Sequence, residues 1–330
     1  MMPIRWGILG PGKIAHKFAT GLKSIPDAAL VAVGSRTLDR ATRFAAEYNV
    51  PRVHGHYESL AADPEVDVVY VATPHPLHHD TAMLCLKAGK AVLLEKPFTI
   101  NAREGEELVE VARSNDVFLM EAMWMRFLPM VVQIREWLAQ QLIGEPRIVM
   151  ADFGFRGDWN PEGRLLNPAL GGGALLDVGI YPLSLASMVF GGVPRNVTGL
   201  CHFGQTGVDE QSAMVLSYEG GELAVLTCAV RTGTAHEARI LGTTGSIHMP
   251  AFWHGTQATL AMEGQESKTI CCPKEGNGYN YEAVEVGRCL RAGLKESPII
   301  PLSETLSMMR TLDELRRQWG LVYPGELQES

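Results

Sequence analysis

The chain has 330 residues, which suits two domains of ordinary size or one large one. Apolar residues make up 46% and charged residues 20%, enough to bury a sizeable core, so intrinsic disorder is excluded. A formal net charge of −8 without a long basic run argues against a nucleic acid or an anionic membrane surface as the main partner.

The first 120 or so residues alternate strand and helix signals. Ile4–Leu9 is a short apolar run ending in glycine, and Ile14, Phe18 and Leu22 then recur every four residues as a helix stripe. Ala29–Val33 is a second apolar run, and Thr37–Tyr48 is helical in pattern. Val66–Ala72 fits a buried parallel strand, and Pro76–Ala88 a helix closed by Gly89. Ala91–Leu94 is another strand, Asn101 with Glu104 resembles a capping box opening a helix to about Ser114, and Val117–Met120 is one more strand. Repeated βα units with short loops predict a doubly wound parallel sheet of Rossmann type.

The pattern changes after Phe127. Pro129–Gln141 reads as a helix, and strands then dominate at 147–155, 196–202, 211–218, 222–230, 236–241 and 246–248. The turns Glu219-Gly220-Gly221 and Thr243-Thr244-Gly245 suggest hairpins, and helices are expected at 280–292 and 303–318. The expected organisation is a dinucleotide-binding domain, 1–123, followed by an α+β domain, 124–330, with a large open, mostly antiparallel sheet that binds substrate and dimerises. Val197, Val215, Leu216, Leu226 and Val230 supply apolar positions for a homodimer contact on that sheet.

No apolar stretch is read as reaching the roughly 18 residues of a bilayer span, and the opening Met1-Met2-Pro3 carries no leader pattern. The six cysteines follow no zinc spacing. Reduced thiols with structural burial in a cytoplasmic protein are expected.

After the first strand comes Gly10-Pro11-Gly12-Lys13-Ile14-Ala15, a G-x-G-x-x-A turn opening a helix. Such glycines let backbone approach a pyrophosphate, whose charge meets the helix N-terminal amides. The second strand ends in Gly34-Ser35-Arg36-Thr37, with no acid for a free ribose 2′-hydroxyl. Ser35 and Arg36, with Arg40 one turn on, suit a 2′-phosphate, so NADP is expected, with NAD the alternative.

Three further segments combine: Ala72-Thr73-Pro74-His75-Pro76-Leu77-His78, Glu95-Lys96-Pro97, and Gly171-Gly172-Gly173-Ala174-Leu175-Leu176-Asp177-Val178-Gly179-Ile180-Tyr181. Together they resemble the glucose–fructose oxidoreductase, inositol dehydrogenase and rhizopine-catabolism (Gfo/Idh/MocA) family over nearly the whole chain. Tyr181 stands where many members carry histidine. With Glu121-Ala122-Met123-Trp124-Met125-Arg126-Phe127, it resembles the dimeric dihydrodiol dehydrogenase and NADP-dependent D-xylose dehydrogenase branch. The resemblance implies hydride transfer between NAD(P) and a sugar, polyol or trans-dihydrodiol. It also implies that Thr73, Pro74, His75, His78 and Glu95 lie beside the cofactor and that Lys96, Asp177 and Tyr181 are catalytic.

Oxidising an alcohol requires a base for the O–H proton and a cation to steady the developing alkoxide. An ordinary tyrosine is a poor base near neutrality, and a neighbouring ammonium such as Lys96 favours its anion. Asp177 shares a face with Tyr181 if the segment is one helix; Pro182 leaves open that a helix begins only at Tyr181. Trp124 and Arg126 suit nicotinamide or substrate contact. Phe155, Trp159 and Arg164, with Phe153, either line the substrate site or belong to the core. The His75, His78 and His79 cluster has no metal-ligand partners, so no metal is expected. A non-catalytic NADP-binding regulatory subunit is the alternative function, disfavoured by an intact Lys96, Asp177 and Tyr181 set.

Overall fold

The computed structural model describes residues 2–326. In chain order the elements begin with β1 (Ile4–Leu9), α1 (Lys13–Leu22), β2 (Ala28–Gly34), α2 (Leu38–Tyr48), β3 (Arg52–His54), α3 (Tyr57–Ala61) and β4 (Val68–Val71). They continue with α4 (His78–Lys87), β5 (Ala91–Glu95), α5 (Ala102–Ser114), β6 (Leu119–Ala122), α6 (Pro129–Ala139) and β7 (Pro146–Gly154). After a π-helical turn, Leu175–Gly179, come α7 (Ile180–Phe190), β8 (Asn196–Phe203), β9 (Asp209–Ser217), β10 (Leu223–Ala229) and β11 (Ala238–Gly242). The remaining elements are β12 (Gly245–Met249), β13 (Gln257–Met262), β14 (Lys268–Cys271), α8 (Asn280–Arg291) and α9 (Leu302–Trp319).

Val68, Val69, Tyr70 and Val71 are all fully buried, as a strand covered on both faces must be. β4 sits at the centre of a six-stranded sheet of order β3-β2-β1-β4-β5-β6 whose pairings are all parallel. The strand order reverses between β1 and β4, the switch point at which such sheets bind ligands beyond their carboxyl ends. Asn101 caps α5 by accepting the Glu104 N–H at 3.0 Å, and the Ile100 N–H, one residue earlier, donates to the Glu104 carboxylate at 3.4 Å. Gly89 closes α4 with φ of 75°. The short β3 and α3 carry too few periodic residues to be read from the sequence.

The chain divides into two compact units, one reaching Trp124 and taking back Glu275–Leu306, the other holding Met125–Lys274 and the described residues from Ser307 onward. The sequence reading placed α8 in the second domain; here it packs on α1 in the first unit. Close approach explains the contact: a Cβ on Gly21 would stand 3.0 Å from the Asn280 nitrogen, and one on Gly287 3.2 Å from the Ile4 side chain.

The second unit holds an eight-stranded sheet, β14-β13-β12-β11-β7-β10-β9-β8, in which β7 and β10 pair in parallel and the other neighbours antiparallel. The π turn and α7 cover its inner face, where Val149, Ala151, Leu226, Met214 and Leu216 are buried. Its other face exposes Met150, Leu200, Val215, Leu223 and Val225. Val225 pairs with Val215 on one side and Met150 on the other, so these three form one row across three strands. Of the five residues assigned to the open face from sequence, Leu216, Leu226 and Val230 are fully buried. Val215 and Leu216 are neighbours on one strand and must face opposite sides.

Pro168–Phe190 is in fact long and apolar enough, by composition, to cross a membrane, and it is mostly buried as the core helix of this unit. All six cysteines are free thiols; Cys85, Cys228 and Cys289 are buried, whereas Cys271 is exposed, contrary to the burial expected of each.

Candidate active site

The first unit carries its glycine turn at the switch point, between β1 and α1. Gly10 has φ of 84°, and a Cβ there would stand 2.7 Å from the Ala72 carbonyl oxygen, so the turn presses on the next strand and accepts glycine alone. A Cβ on Gly12 would meet nothing closer than 4.0 Å, which leaves the mouth of α1 open. Gly12 caps α1 without a side-chain hydrogen bond and no acid sits in its first turn, so the first amides there are available to an anion. Lys13 is exposed and Ile14 half-buried at this turn. Ser35 is buried at the end of β2, with Arg36 and Arg40 exposed beyond it. Both arginines face Tyr57 on α3, a neighbour that the sequence pattern did not single out. A dinucleotide fits this donor set, and a second observation agrees: the buried Thr73 hydroxyl has no hydrogen-bond partner among the described residues.

The loops after β4 and β5 are joined by His78. Its Nε2 lies 2.9 Å from the Thr73 oxygen and its Nδ1 2.8 Å from the Pro97 oxygen. Burial pushes His78 down to about 4 against the pull of those carbonyls, and the Lys96 charge adds to the lowering. Near neutrality one ring nitrogen therefore donates and the other does not. His75 stands edge-on to His78, and Pro74 is exposed. Lys96 follows β5 half-buried, joined to Pro97 by a cis peptide, and its N–H donates to the Glu95 carboxylate at 3.2 Å. The Tyr70 hydroxyl donates to the same carboxylate in a short hydrogen bond. Trp124 stacks on Tyr279 with centroids 4.5 Å apart.

The second unit holds Asp177 on the π turn and Tyr181 on α7, both buried. Pro182 does not delay the helix: Leu175 through Phe190 is helical without a break, so Asp177 and Tyr181 stand one turn apart. Asp177 pairs with Arg164 at 2.8 Å; the arginine side chain is 61% exposed and the carboxylate 6%. Tyr181 meets Phe153 edge-on at 5.3 Å and lies 5.9 Å from Trp253, which stacks on Phe153 at 4.4 Å. His236 closes the group, 5.0 Å from Phe153. Phe155 is half-buried 6.3 Å from Phe153, and Trp159 is exposed with the Arg231 guanidinium over its ring. Trp253 went unread because it sits outside any periodic segment, and His236 because the sequence pattern makes it only the first residue of a strand that here begins at Ala238. Arg126 is buried, and its guanidinium reaches the Ser184 carbonyl at 3.3 Å, bracing α7 from below.

Two profiles cover most of the chain: an oxidoreductase family with an NAD-binding Rossmann fold at residues 4–123, and the GFO/IDH/MocA C-terminal domain at 131–248. The chain belongs to the Gfo/Idh/MocA oxidoreductase family. It is 42% identical to the mouse trans-1,2-dihydrobenzene-1,2-diol dehydrogenase over 98% of this chain and 99% of the relative. The human enzyme of the same name is 41% identical over the same shares. A 3-ketoreductase from Actinomadura kijaniata, solved with NADP and TDP-benzene, superposes with a TM-score of 0.84 at 27% identity, covering 96% of this chain and 97% of that one. As a Gfo/Idh/MocA member, the protein is a nicotinamide-dependent oxidoreductase acting on CH–OH groups.

One buried acid near Glu95 is not accounted for by the motif. Glu282 on α8 is fully buried, and neither carboxyl oxygen has a hydrogen-bond partner among the described residues. Burial, reinforced by the charge of Glu95, holds its pKa well above the ordinary carboxyl value. The folded protein keeps this proton at a pH where the unfolded chain has lost it, so the residue lowers stability increasingly as pH rises above the ordinary value. Glu282→Gln should therefore raise Tm relative to wild type at pH 8 and by much less at pH 4.5. An equal change at both values would show that Glu282 is ionised in the native state.

Proposed function

We propose that this protein is an NADP-dependent dehydrogenase that oxidises a secondary alcohol on a ring, in a trans-dihydrodiol or a cyclic sugar or polyol. The observation that carries this reading is the Tyr181 phenol held against Phe153 and Trp253, one turn beyond Asp177. Apolar ring faces suit a flat or cyclic substrate, and the phenol and carboxyl suit its hydroxyls. The names of the mouse and human relatives point to the same substrate class. The bound nicotinamide supplies the hydride acceptor. Tyr181, as the phenolate that the Lys96 ammonium favours, takes the hydroxyl proton at Oη, Lys96 steadies the negative charge that develops on the substrate oxygen, and Asp177 orients the substrate by accepting from a hydroxyl. In this reading the first unit binds the dinucleotide and the second binds substrate.

The test is a panel of trans-dihydrodiols, pentoses and hexoses with NADP, read by absorbance of the reduced cofactor. Lys96→Met and Tyr181→Phe should each lower kcat by at least about 10²-fold with little change in NADP affinity. The double variant should lose far less than the product of the singles, since the two groups serve one proton. Wild-type kcat in Tyr181→Phe would remove tyrosine from the mechanism.

Ser35 with Arg36 and Arg40 supports NADP over NAD, because no acid at the end of β2 waits for a free 2′-hydroxyl. Arg36→Ala should weaken NADP by roughly tenfold to a hundredfold, the worth of a charge-assisted contact of about 1.5–3 kcal/mol. NAD should change much less, and equal losses for both cofactors would place Arg36 away from the phosphate.

We also propose a homodimer through the exposed sheet face, on the row Met150, Val225 and Val215 with Leu200 and Leu223 alongside. A contiguous apolar row on a solvent-facing sheet is an association surface. Light scattering at micromolar concentration should give twice the chain mass, and Val225→Lys should give the monomer. A monomeric wild type would refute the arrangement. Six free thiols suit a reducing compartment, and we place the protein in the cytoplasm.

A further inference from the structure

The helix that carries Asp177 and Tyr181 begins against a buried carboxyl that the chemistry itself does not use. Asp209, the first residue of β9, has no exposed surface. Its Oδ2 accepts the Leu175 N–H at 2.7 Å, at the first residue of the π turn. The Ala174 amide faces the same carboxyl. Its Oδ1 makes no hydrogen bond among the described residues, and a Cβ on Gly173 would stand 2.2 Å from it. Glycine at 173, with φ of 120°, is thus the residue that lets the carboxyl reach the helix start. The surrounding contacts hold the same turn: the Tyr323 hydroxyl donates to the Gly172 oxygen at 2.7 Å, and a Cβ on Gly179 would meet the Cys228 sulfur at 2.9 Å.

A wholly buried carboxylate is costly unless donors compensate it, and the open amides of a helix start are such donors. We propose that Asp209 is a positioning residue for the reaction, its carboxyl pinning the start of the 175–190 helix and so setting where Asp177 and Tyr181 stand. This rests on the reading of Tyr181 as the proton acceptor. The groups that face Asp209 are Arg316 from α9, Tyr323 beyond it, Cys228 on β10 and Cys201 on β8. Arg316 favours the carboxylate, but its own hydrogen bonds go to Asp313 at 2.8 Å and Glu326 at 2.7 Å. Burial outweighs the amides and Arg316 and pushes Asp209 up to about 7. The pin therefore changes charge close to neutrality.

Asp209→Asn keeps the shape and one acceptor for the Leu175 amide without the charge, whereas Asp209→Ala removes both. Asp209→Ala should lower kcat by about 10²-fold, the scale of a misplacement near 1 Å, while the Kd for NADP holds. Asp209→Asn should recover most of that loss. The ring-carbon NMR signal of Tyr181, assigned by its disappearance in Tyr181→Phe, should move in Asp209→Ala. In wild type it should follow a titration near neutrality that Asp209→Asn abolishes. Unchanged kcat and an unmoved Tyr181 signal in folded Asp209→Ala overturn the proposal, as does a neutral titration that survives in Asp209→Asn. Should Asp209→Ala fail to fold, the Asp209→Asn titration decides alone. If Tyr181→Phe turns over normally while the Tyr181 signal still follows Asp209, the pin stands and the catalytic reading of Tyr181 falls.

Discussion

Pro182 has no N–H to give, and the helix bearing Asp177 and Tyr181 is built around that missing donor. In a regular α-helix the nitrogen at 182 would bond the Val178 oxygen, and the proline ring would press on that carbonyl. Here the turn before it is π-helical, with the Ile180 N–H reaching back five residues to Leu175. The wider turn accommodates the ring without breaking the helix, and π turns of this kind recur at functional sites. Continuity from Leu175 to Phe190 is what places a carboxyl and a phenol on one rigid element. The glycines around it serve separate contacts. Gly171 takes the left-handed conformation that ends the preceding 3₁₀ turn, with φ of 67°. A Cβ on Gly172 would crowd the carbonyl oxygens of Arg164, Leu165 and Asn167 at 2.9–3.0 Å.

Local patterns carried the parallel sheet and the glycine turn because both are written in short windows: a β-branched run, a glycine, a helix stripe. The same windows say nothing of what an amphipathic helix packs on, and α8 was placed by chain order in the second domain for that reason. β13 was missed because its inward positions, Ala258 and Leu260, are too few to make a period, and β14 because it is mostly exposed. Lys96, Asp177 and Tyr181 entered as candidates through their motifs. Their surroundings did not: Trp253 and His236 approach Phe153 from separate parts of the chain, and no spacing announces them. The depth of a carboxyl is equally hidden, since Asp209 lies between the strands read at 196–202 and 211–218, where no pattern sets its burial.

Three buried carboxyls show what depth does once donors are counted. Burial opposes the charge of Asp63, yet Arg52 at 2.5 Å, the Glu65 amide at 2.9 Å and His54 at 2.9 Å outweigh it and hold the group at about 2. Among the described residues Asp209 has amides but no directly bonded cation, and Glu282 has no hydrogen-bond partner, so both are driven upward. The consequences for stability are opposite in sign. Asp63 stabilises the fold above the ordinary carboxyl value, and that contribution is lost as pH falls toward 2. Asp209 keeps its proton up to about 7 while the unfolded chain loses its own near 4, so across that window rising pH weakens the fold. An aspartate that costs stability at neutral pH needs a reason to be there, and the helix start it holds supplies one: its carboxyl accepts from the open amides at 174 and 175.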